Sequence, residues 1–188
     1  MDMNIPEIFK YNTLISVPLF AIISLWLIQR VPDFSFSQHT VSKSVLLFKN
    51  SKQELIFRLN FLIKALLDLG FVWYLIHYFK LSIFSPLPLL LIPSALLFGS
   101  LAYFVEGKQT LIHQINAMGS GVLWALGQFC LSRSIGNTFF IQFTNVMVTI
   151  PILLAFGFMF AKKTNVFVQI LCMSFWYIWL FVLVFRYL

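Results

Sequence analysis

Two charged residues stand inside an apolar segment, at a spacing that allows them to pair. In the segment at 55–79, Asn60, Lys64 and Asp68 recur every four residues, so a helix would place them along one face. A lone lysine near the centre of a bilayer costs roughly 2.5–3.5 kcal/mol even on the lenient insertion scale. Asp68 lies one turn from Lys64 and can neutralise it. We predict that this pair faces a protein interior or a wet cavity, as part of a binding or relay site or as a lock between helices.

Uncharged polar residues at helical spacing on later segments are candidates to line the same cavity. The residues fall at intervals of three or four, which brings them onto one face of each segment. The alternative is that each makes an interhelical hydrogen bond, worth about 0.6 kcal/mol. Together with Asn60, Lys64 and Asp68, the predicted cavity set comprises Asn116, Ser120, Trp124, Gln128, Gln142 and Asn145.

A second group of residues has the types needed for catalysis near lipid headgroups. His39 and Ser42 precede the second apolar segment and His113 begins the fourth, so all three are expected on one side of the membrane. A serine beside a histidine suits acyl-transfer chemistry, which predicts a lipid-modifying enzyme as an alternative function. A catalytic zinc needs three protein ligands, and the third histidine, His77, falls at the opposite end of its segment. No metal site and no cofactor is predicted.

The composition predicts the elements that must position these residues. Of the 188 residues, 60% are hydrophobic and 10% charged, with a mean hydropathy of +0.90, far from the composition of water-soluble domains. Six apolar segments approach the roughly 20 residues that a helix needs to cross a bilayer. We therefore predict an all-α, polytopic integral membrane protein, a six-transmembrane-helix bundle forming one domain at 1–188. The predicted spans are 11–29, 55–79, 81–105, 112–131, 138–161 and 165–188, with a long loop at 30–54.

Charge predicts partners and orientation. The net charge is +7, but the basic residues are dispersed among loops without interleaved aromatic residues, so nucleic acid is not an expected partner. Membrane lipids are the expected partners. Eight lysines and arginines lie on the face of the first loop and four on the opposite face, a bias that places both termini outside the cell.

Small residues on the fourth segment predict close helix packing. Ala117, Gly121 and Ala125 recur every four residues, a ridge that lets two helix backbones approach. This ridge is a candidate contact for a helix of another protein. The sequence thus favours binding or translocation of a lipid or small amphiphilic molecule in a polar cavity, with the lipid-modifying enzyme and a structural subunit of a membrane complex as alternatives.

Short phrases around the first loop and the fourth segment match a known pattern. The phrases are His39-Thr40-Val41-Ser42, then Phe57 with Asn60, then His113 with Asn116 and Ala117. In them the chain resembles a family of small bacterial multi-span membrane proteins of uncharacterised function, allied to the damage-regulated autophagy modulator superfamily. The resemblance implies six helices, a bacterial inner membrane and no established reaction. It also implies a cytoplasmic N-terminus, opposite to the charge bias.

Overall fold

A computed structural model describes residues 7–161 and 163–188, and the regular secondary structure in them is helical. Residues 1–6 and Lys162, which the predicted domain includes, lie outside the described residues. Six α-helices follow one another, and each overlaps one of the six predicted segments. They are α1 (Asn12–Ile28), α2 (Ser51–Tyr78), α3 (Pro86–Ser100), α4 (Thr110–Ile135), α5 (Thr138–Phe160) and α6 (Val166–Arg186), with 3-10 helices at Glu7–Tyr11 and Ser42–Leu47.

Asparagine side chains cap three of the α-helices. The carboxamide oxygens of Asn50, Asn137 and Asn165 each accept a hydrogen bond from a backbone N–H two or three residues later, at 2.6–3.1 Å, which satisfies a donor that the first turn leaves unpaired. Gly136 ends α4 with a left-handed φ of 73°, a conformation that glycine adopts without steric cost. Because Asn137 follows Gly136 directly, α4 and α5 are joined by a tight turn.

The six α-helices form a ring in chain order. Each helix packs against the next along the chain, and α6 packs against α1. The longest connection, residues 29–50, lies between α1 and α2 and is called loop 1 here; its side of the ring is the loop-1 end. The short turn between α4 and α5 lies at the other side, the far end. At the far end a buried cluster fills the ring with Phe71, Trp124, Leu131, Trp179 and Leu183.

The outer surface of this ring is apolar. In the part of the chain that the structure describes, three helical stretches are long and apolar enough to cross a membrane, Glu7–Ile28, Thr138–Phe160 and Val166–Arg186. The remaining helices also expose large apolar side chains: Leu66 of α2 is 67% exposed, Leu96 of α3 57% and Ile115 of α4 59%. A water-soluble monomer rarely exposes so much contiguous apolar surface.

Candidate functional site

A central cavity of about 540 Å³ lies inside the ring. All six α-helices and loop 1 contribute to its lining. On α4 the lining runs from His113 at the loop-1 end to Trp124, which at 1.5 Å per residue is a length of roughly 16 Å. The buried cluster at the far end closes the cavity there. Both the volume and the mixture of apolar wall with a few polar groups are typical of small-molecule sites.

The ion pair predicted from the sequence lies on the wall of this cavity. Lys64 Nζ is 2.5 Å from Asp68 Oδ2, and their side chains are 12% and 4% exposed. The hydroxyl of Ser16 on α1 donates a hydrogen bond to the other Asp68 oxygen at 2.8 Å. Lys64 Nζ also lies 4.7 Å from the centre of the Phe98 ring on α3, a cation–π contact. The pair is thus held between α1, α2 and α3, and both members face the cavity.

Ser120 and Trp124 also line the cavity. Two other predicted cavity residues instead form hydrogen bonds with neighbouring helices. The Asn60 carboxamide donates to Phe20 O and Ser24 Oγ on α1, both at 3.1 Å. The Asn116 carboxamide donates to Ser100 Oγ on α3 at 2.8 Å. Their placement differs from the predicted one because each side chain points to the neighbouring helix, so they hold helices together instead of lining the cavity.

The polar face predicted for α5 points away from the cavity. Gln142 and Asn145 are exposed, while Phe140, Thr144 and Val148 form the buried face of the helix. The predicted convergence with Asp68 is therefore replaced by a different polar contact, in which the indole N–H of Trp179 donates to Thr144 Oγ1 at 2.8 Å. Helical spacing does not determine the rotation of a helix about its axis, and this rotation turns the two amides outward.

Gln128 lies in the buried cluster below the cavity. Its side chain is 1% exposed, and among the described residues neither its amide nitrogen nor its amide oxygen has a hydrogen-bond partner. A void of about 10 Å³ adjoins it, close to the space that one water molecule requires. Gln128 therefore contributes to the closed far end and not to the cavity predicted for it.

The small-residue ridge of α4 lies on the inner side of the ring. Ala117 and Gly121 line the cavity, and Ala125 is 1% exposed. A Cβ atom added to Gly121 would meet the Trp176 ring of α6 at 3.6 Å. Within this chain the ridge therefore makes room for the cavity and for packing between its own helices.

Loop 1 crosses the loop-1 end of the ring and is attached to α6. The backbone N–H of Val166 donates to His39 O at 3.0 Å, and the Val41 N–H donates to the carboxamide oxygen of Gln169 at 2.9 Å. Thr40 and Ser42 are buried and line the end of the cavity that loop 1 crosses, which is called the mouth here. These contacts hold loop 1 across the mouth.

A second pair of opposite charges lies at this mouth. The Thr40 hydroxyl donates to a Glu106 carboxylate oxygen, and Lys43 Nζ lies 3.9 Å from the other oxygen. His113 uses Nδ1 for a 2.7 Å hydrogen bond with Phe104 O, which fixes the ring with its Nε2 edge turned away from that carbonyl. Among residues 7–161 and 163–188, the charged lining residues Lys43, Lys64, Asp68 and Glu106 therefore carry two positive and two negative charges.

A further ion pair lies beside the mouth, at the start of α2. Arg58 Nη2 is 2.6 Å from Glu54 Oε1, and Arg58 Nη1 donates to Ala102 O at 3.1 Å. The hydrogen bond from Arg58 holds the pKa of the Glu54 carboxyl below its ordinary value. Both side chains are about one-third exposed, so the pair contributes less than about 1 kcal/mol of stability.

The residues predicted for catalysis are not joined to one another. Ser42 and His113 both line the mouth, whereas His39 does not; His39 accepts a hydrogen bond from the Ser35 N–H through Nδ1 at 3.2 Å. Among the described residues no hydrogen bond links any two of the three. Residues 7–161 and 163–188 also contain no group of three histidine, cysteine or acidic side chains placed to hold a metal.

The cavity reaches the outer surface of the ring between α4 and α5. Met118, Val122 and Ala155 line the cavity and are exposed as well. The buried residues of α5 end at Pro151, so the first half of this helix packs closely in the ring and its second half packs less closely. This lateral opening lies in the half of the ring nearer loop 1 and is lined mainly by apolar side chains, with the exposed Gln114 one turn from Met118.

Several cavity residues have no counterpart in the predicted set. Sequence reasoning missed three of them. Thr13 of α1 and Trp176 of α6 line the cavity, and Ser16 of α1 donates a hydrogen bond to Asp68. A signal was present on α1, because Thr13, Ser16, Phe20 and Ser24 follow helical spacing and are all buried. Hydroxyl side chains are common in apolar helices, since they can bond to their own backbone, so their spacing is a weaker signal than that of a charged pair.

The fold and the cavity define a class of protein: a helical ring with an apolar outer surface around a cavity that holds paired charges and opens sideways. Comparisons of the chain with protein-family models, with curated proteins and with solved structures found no match. The geometry and chemistry of the cavity therefore carry the functional inference.

Proposed function

We propose that the chain is a multi-pass integral membrane protein in which all six α-helices cross the bilayer. Support comes from the packing of α2, α3 and α4 in the ring between the apolar helices α1 and α5, because helices packed side by side would share one depth in a bilayer. The exposed leucines and isoleucines of α2 to α4 would then contact lipid. The 15 residues of α3 extend only about 22 Å, so its flanking turns complete the crossing.

The lysine and arginine bias of the loops favours an orientation with both termini outside. The family resemblance supports a bacterial inner membrane as the location. In this orientation loop 1 and the cavity mouth would lie on the cytoplasmic side. Attachment of a fluorescent protein to the C-terminus would test the orientation, since a probe that folds only in the cytoplasm should stay dark.

We propose further that the central cavity binds a lipid or small amphiphilic molecule, with translocation of that molecule as an extension of the same role. The observation that carries this proposal is the lateral opening between α4 and α5. An opening lined by Met118, Val122 and Ala155 offers an apolar path from the bilayer into a cavity with polar groups. An amphiphile suits both parts, because its chain would contact the apolar wall and its head the polar residues.

The experiment compares two substitutions of glycine by phenylalanine. The protein is placed in lipid nanodiscs, and binding of three probes with the same chain, dodecanol, dodecanoate and dodecyltrimethylammonium, is titrated calorimetrically against empty discs. Gly121→Phe would project a ring into the cavity, whereas Gly157→Phe adds the same ring in open space, where an added Cβ atom meets nothing within 4 Å.

We expect at least one probe to bind the wild-type protein and the Gly157→Phe variant alike, and Gly121→Phe to weaken that binding at least about tenfold through steric exclusion. Equal binding to both variants, or no binding of any probe to the wild-type protein, would contradict the proposal. Size-exclusion chromatography of both variants in detergent checks that each keeps its fold.

A further inference from the structure

The second half of α5 is packed less closely than the first. The buried residues of the helix end at Pro151, and none of residues 152–160 is buried. A Cβ atom added to Gly157 would meet nothing within 4 Å. Through Ala155 the same half forms one side of the lateral opening. Because segments with few buried contacts move at a low cost in free energy, this side of the opening is the one most easily displaced.

A proline lies at the boundary between the two halves. Pro151 is inside α5, where it has no N–H to donate to the carbonyl of Met147, four residues earlier, and its ring crowds that carbonyl. Proline is a common cause of bending in a helix for this reason. The Pro151 carbonyl accepts a hydrogen bond from the Cys172 thiol of α6 at 3.5 Å. The helix is therefore weakest at a point that is itself held against the ring.

Two further prolines inside helices differ from Pro151 in their packing. Pro18 of α1 and Pro93 of α3 each have buried residues on both sides along the helix. Packing therefore holds both halves of α1 and of α3 in the ring, although each helix lacks one backbone hydrogen bond. At Pro151 the weakened helix coincides with a half that few contacts hold.

We propose that Pro151 is a hinge on which residues 152–160 swing, and that this swing widens the lateral opening to admit molecules from the bilayer. The start of α6 stays in place, since the Asn165 carboxamide donates to Ser37 O of loop 1 at 3.0 Å. Residues 152–160 extend roughly 13 Å, so a bend of about 20° would move the end of α5 by about 5 Å. The inference goes beyond the proposed function, because the swing and the access that it gives are measured without a ligand.

The swing is measured in lipid nanodiscs as the distribution of distances between two spin labels, by double electron–electron resonance. The native cysteines are replaced first, Cys130 by alanine and Cys172 by serine, which keeps a donor for the Pro151 carbonyl. Two label pairs are compared, one across each half of the α4–α5 contact, and all four positions are exposed: Gln114→Cys/Phe160→Cys near loop 1 and Leu126→Cys/Val146→Cys near the turn.

We expect the pair near loop 1 to give a distance distribution about 5 Å broader than that of the pair near the turn. Pro151→Ala restores the missing N–H and should narrow the broad distribution to the width of the other. Pro93→Ala is the matched control on α3 and should leave it broad. Equal widths for the two pairs, or a broad distribution that Pro151→Ala does not narrow, would overturn the hinge.

Access from the bilayer is measured at Ser120, which lines the cavity and is 6% exposed. Ser120→Cys, with the native cysteines replaced as above, is treated in nanodiscs with two lipid-soluble thiol reagents, methyl methanethiosulfonate, which is small, and a bulky maleimide that carries a pyrene ring. We expect Pro151→Ala to slow the bulky reagent about fivefold, the effect of one restored hydrogen bond, and to leave the small one unchanged. Equal rates before and after Pro151→Ala, equal slowing of both reagents, or no reaction of the bulky reagent when Pro151 is present would overturn the role of the hinge in access.

Discussion

The buried ion pair of α2 allows a quantitative prediction. Replacing Asp68 by leucine leaves Lys64 with one charge and no counter-ion, in a place where its side chain is only 12% exposed. Removing one member of a buried pair costs about 3–5 kcal/mol. The adjoining cavity and the Phe98 ring, 4.7 Å from Lys64 Nζ, offset part of this cost, so we expect about 3 kcal/mol. The Ser16 hydroxyl loses its bond to Asp68 but keeps Thr13 O as an acceptor at 3.1 Å, so this loss adds less than about 1 kcal/mol.

The double variant Lys64→Met/Asp68→Leu removes both charges together. Ser16 loses its bond to Asp68 there too, so that contribution cancels when the double variant is compared with Asp68→Leu alone. Replacing both members of a buried pair by apolar residues is often neutral or stabilising. The double variant should therefore be more stable than the single variant by about 3 kcal/mol, although it has one more substitution.

The assay is reversible unfolding in mixed micelles with increasing sodium dodecyl sulfate, followed by tryptophan fluorescence. Lys64→Met is measured as well, which closes a double-mutant cycle and gives the coupling energy of the two side chains. A double variant that is less stable than Asp68→Leu would refute the reasoning, because it would mean that the two charges stabilise the fold through contacts other than their own pairing.

Two further predictions concern packing inside the ring. Gly99→Ala places a Cβ atom 2.9 Å from Ala65 Cβ, so it should force α2 and α3 apart and lower the free energy of unfolding by about 1–3 kcal/mol; Gly157→Ala, in open space, should be neutral or stabilise by up to about 1 kcal/mol, and equal effects would contradict the close approach of the helices. Thr144→Val removes the acceptor of the Trp179 indole N–H, held at 2.8 Å, so it should lower the melting temperature through a loss of about 1–3 kcal/mol, whereas the exposed Thr149→Val should leave it unchanged.

The helices and the ion pair were accessible to sequence reasoning because their signals are strong. Long apolar segments separated by polar residues define helices whatever their packing. Lys64 and Asp68 are costly in an apolar environment unless they pair, and four-residue spacing brings them together on any helix. These two inferences depend only on local geometry, which the sequence determines directly.

Placement of the uncharged polar residues needs information that the sequence does not carry. Asn60, Asn116 and Asn145 all follow helical spacing, yet one bonds to α1, one bonds to α3 and one is exposed. The difference arises from the rotation of each helix about its axis and from the order of helices in the ring. A carboxamide is satisfied equally well by a neighbouring helix or by a cavity ligand, so its type does not reveal which it contacts.

The lateral opening was also beyond sequence reasoning. It arises where the buried face of α5 ends, after Pro151, which is a feature of tertiary packing.

The most direct test of the cavity as a binding site is the position of a heavy atom on a bound amphiphile. Crystals of the protein grown in lipid are soaked with 12-bromododecanol, and the anomalous signal of bromine is mapped. We predict a bromine peak at the lateral opening, close to Met118 and Ala155, because the apolar end of the chain suits the apolar side chains there and the bromine marks that end. Bromine peaks confined to the outer surface of the ring, with none in the cavity or at its lateral opening, would contradict the account.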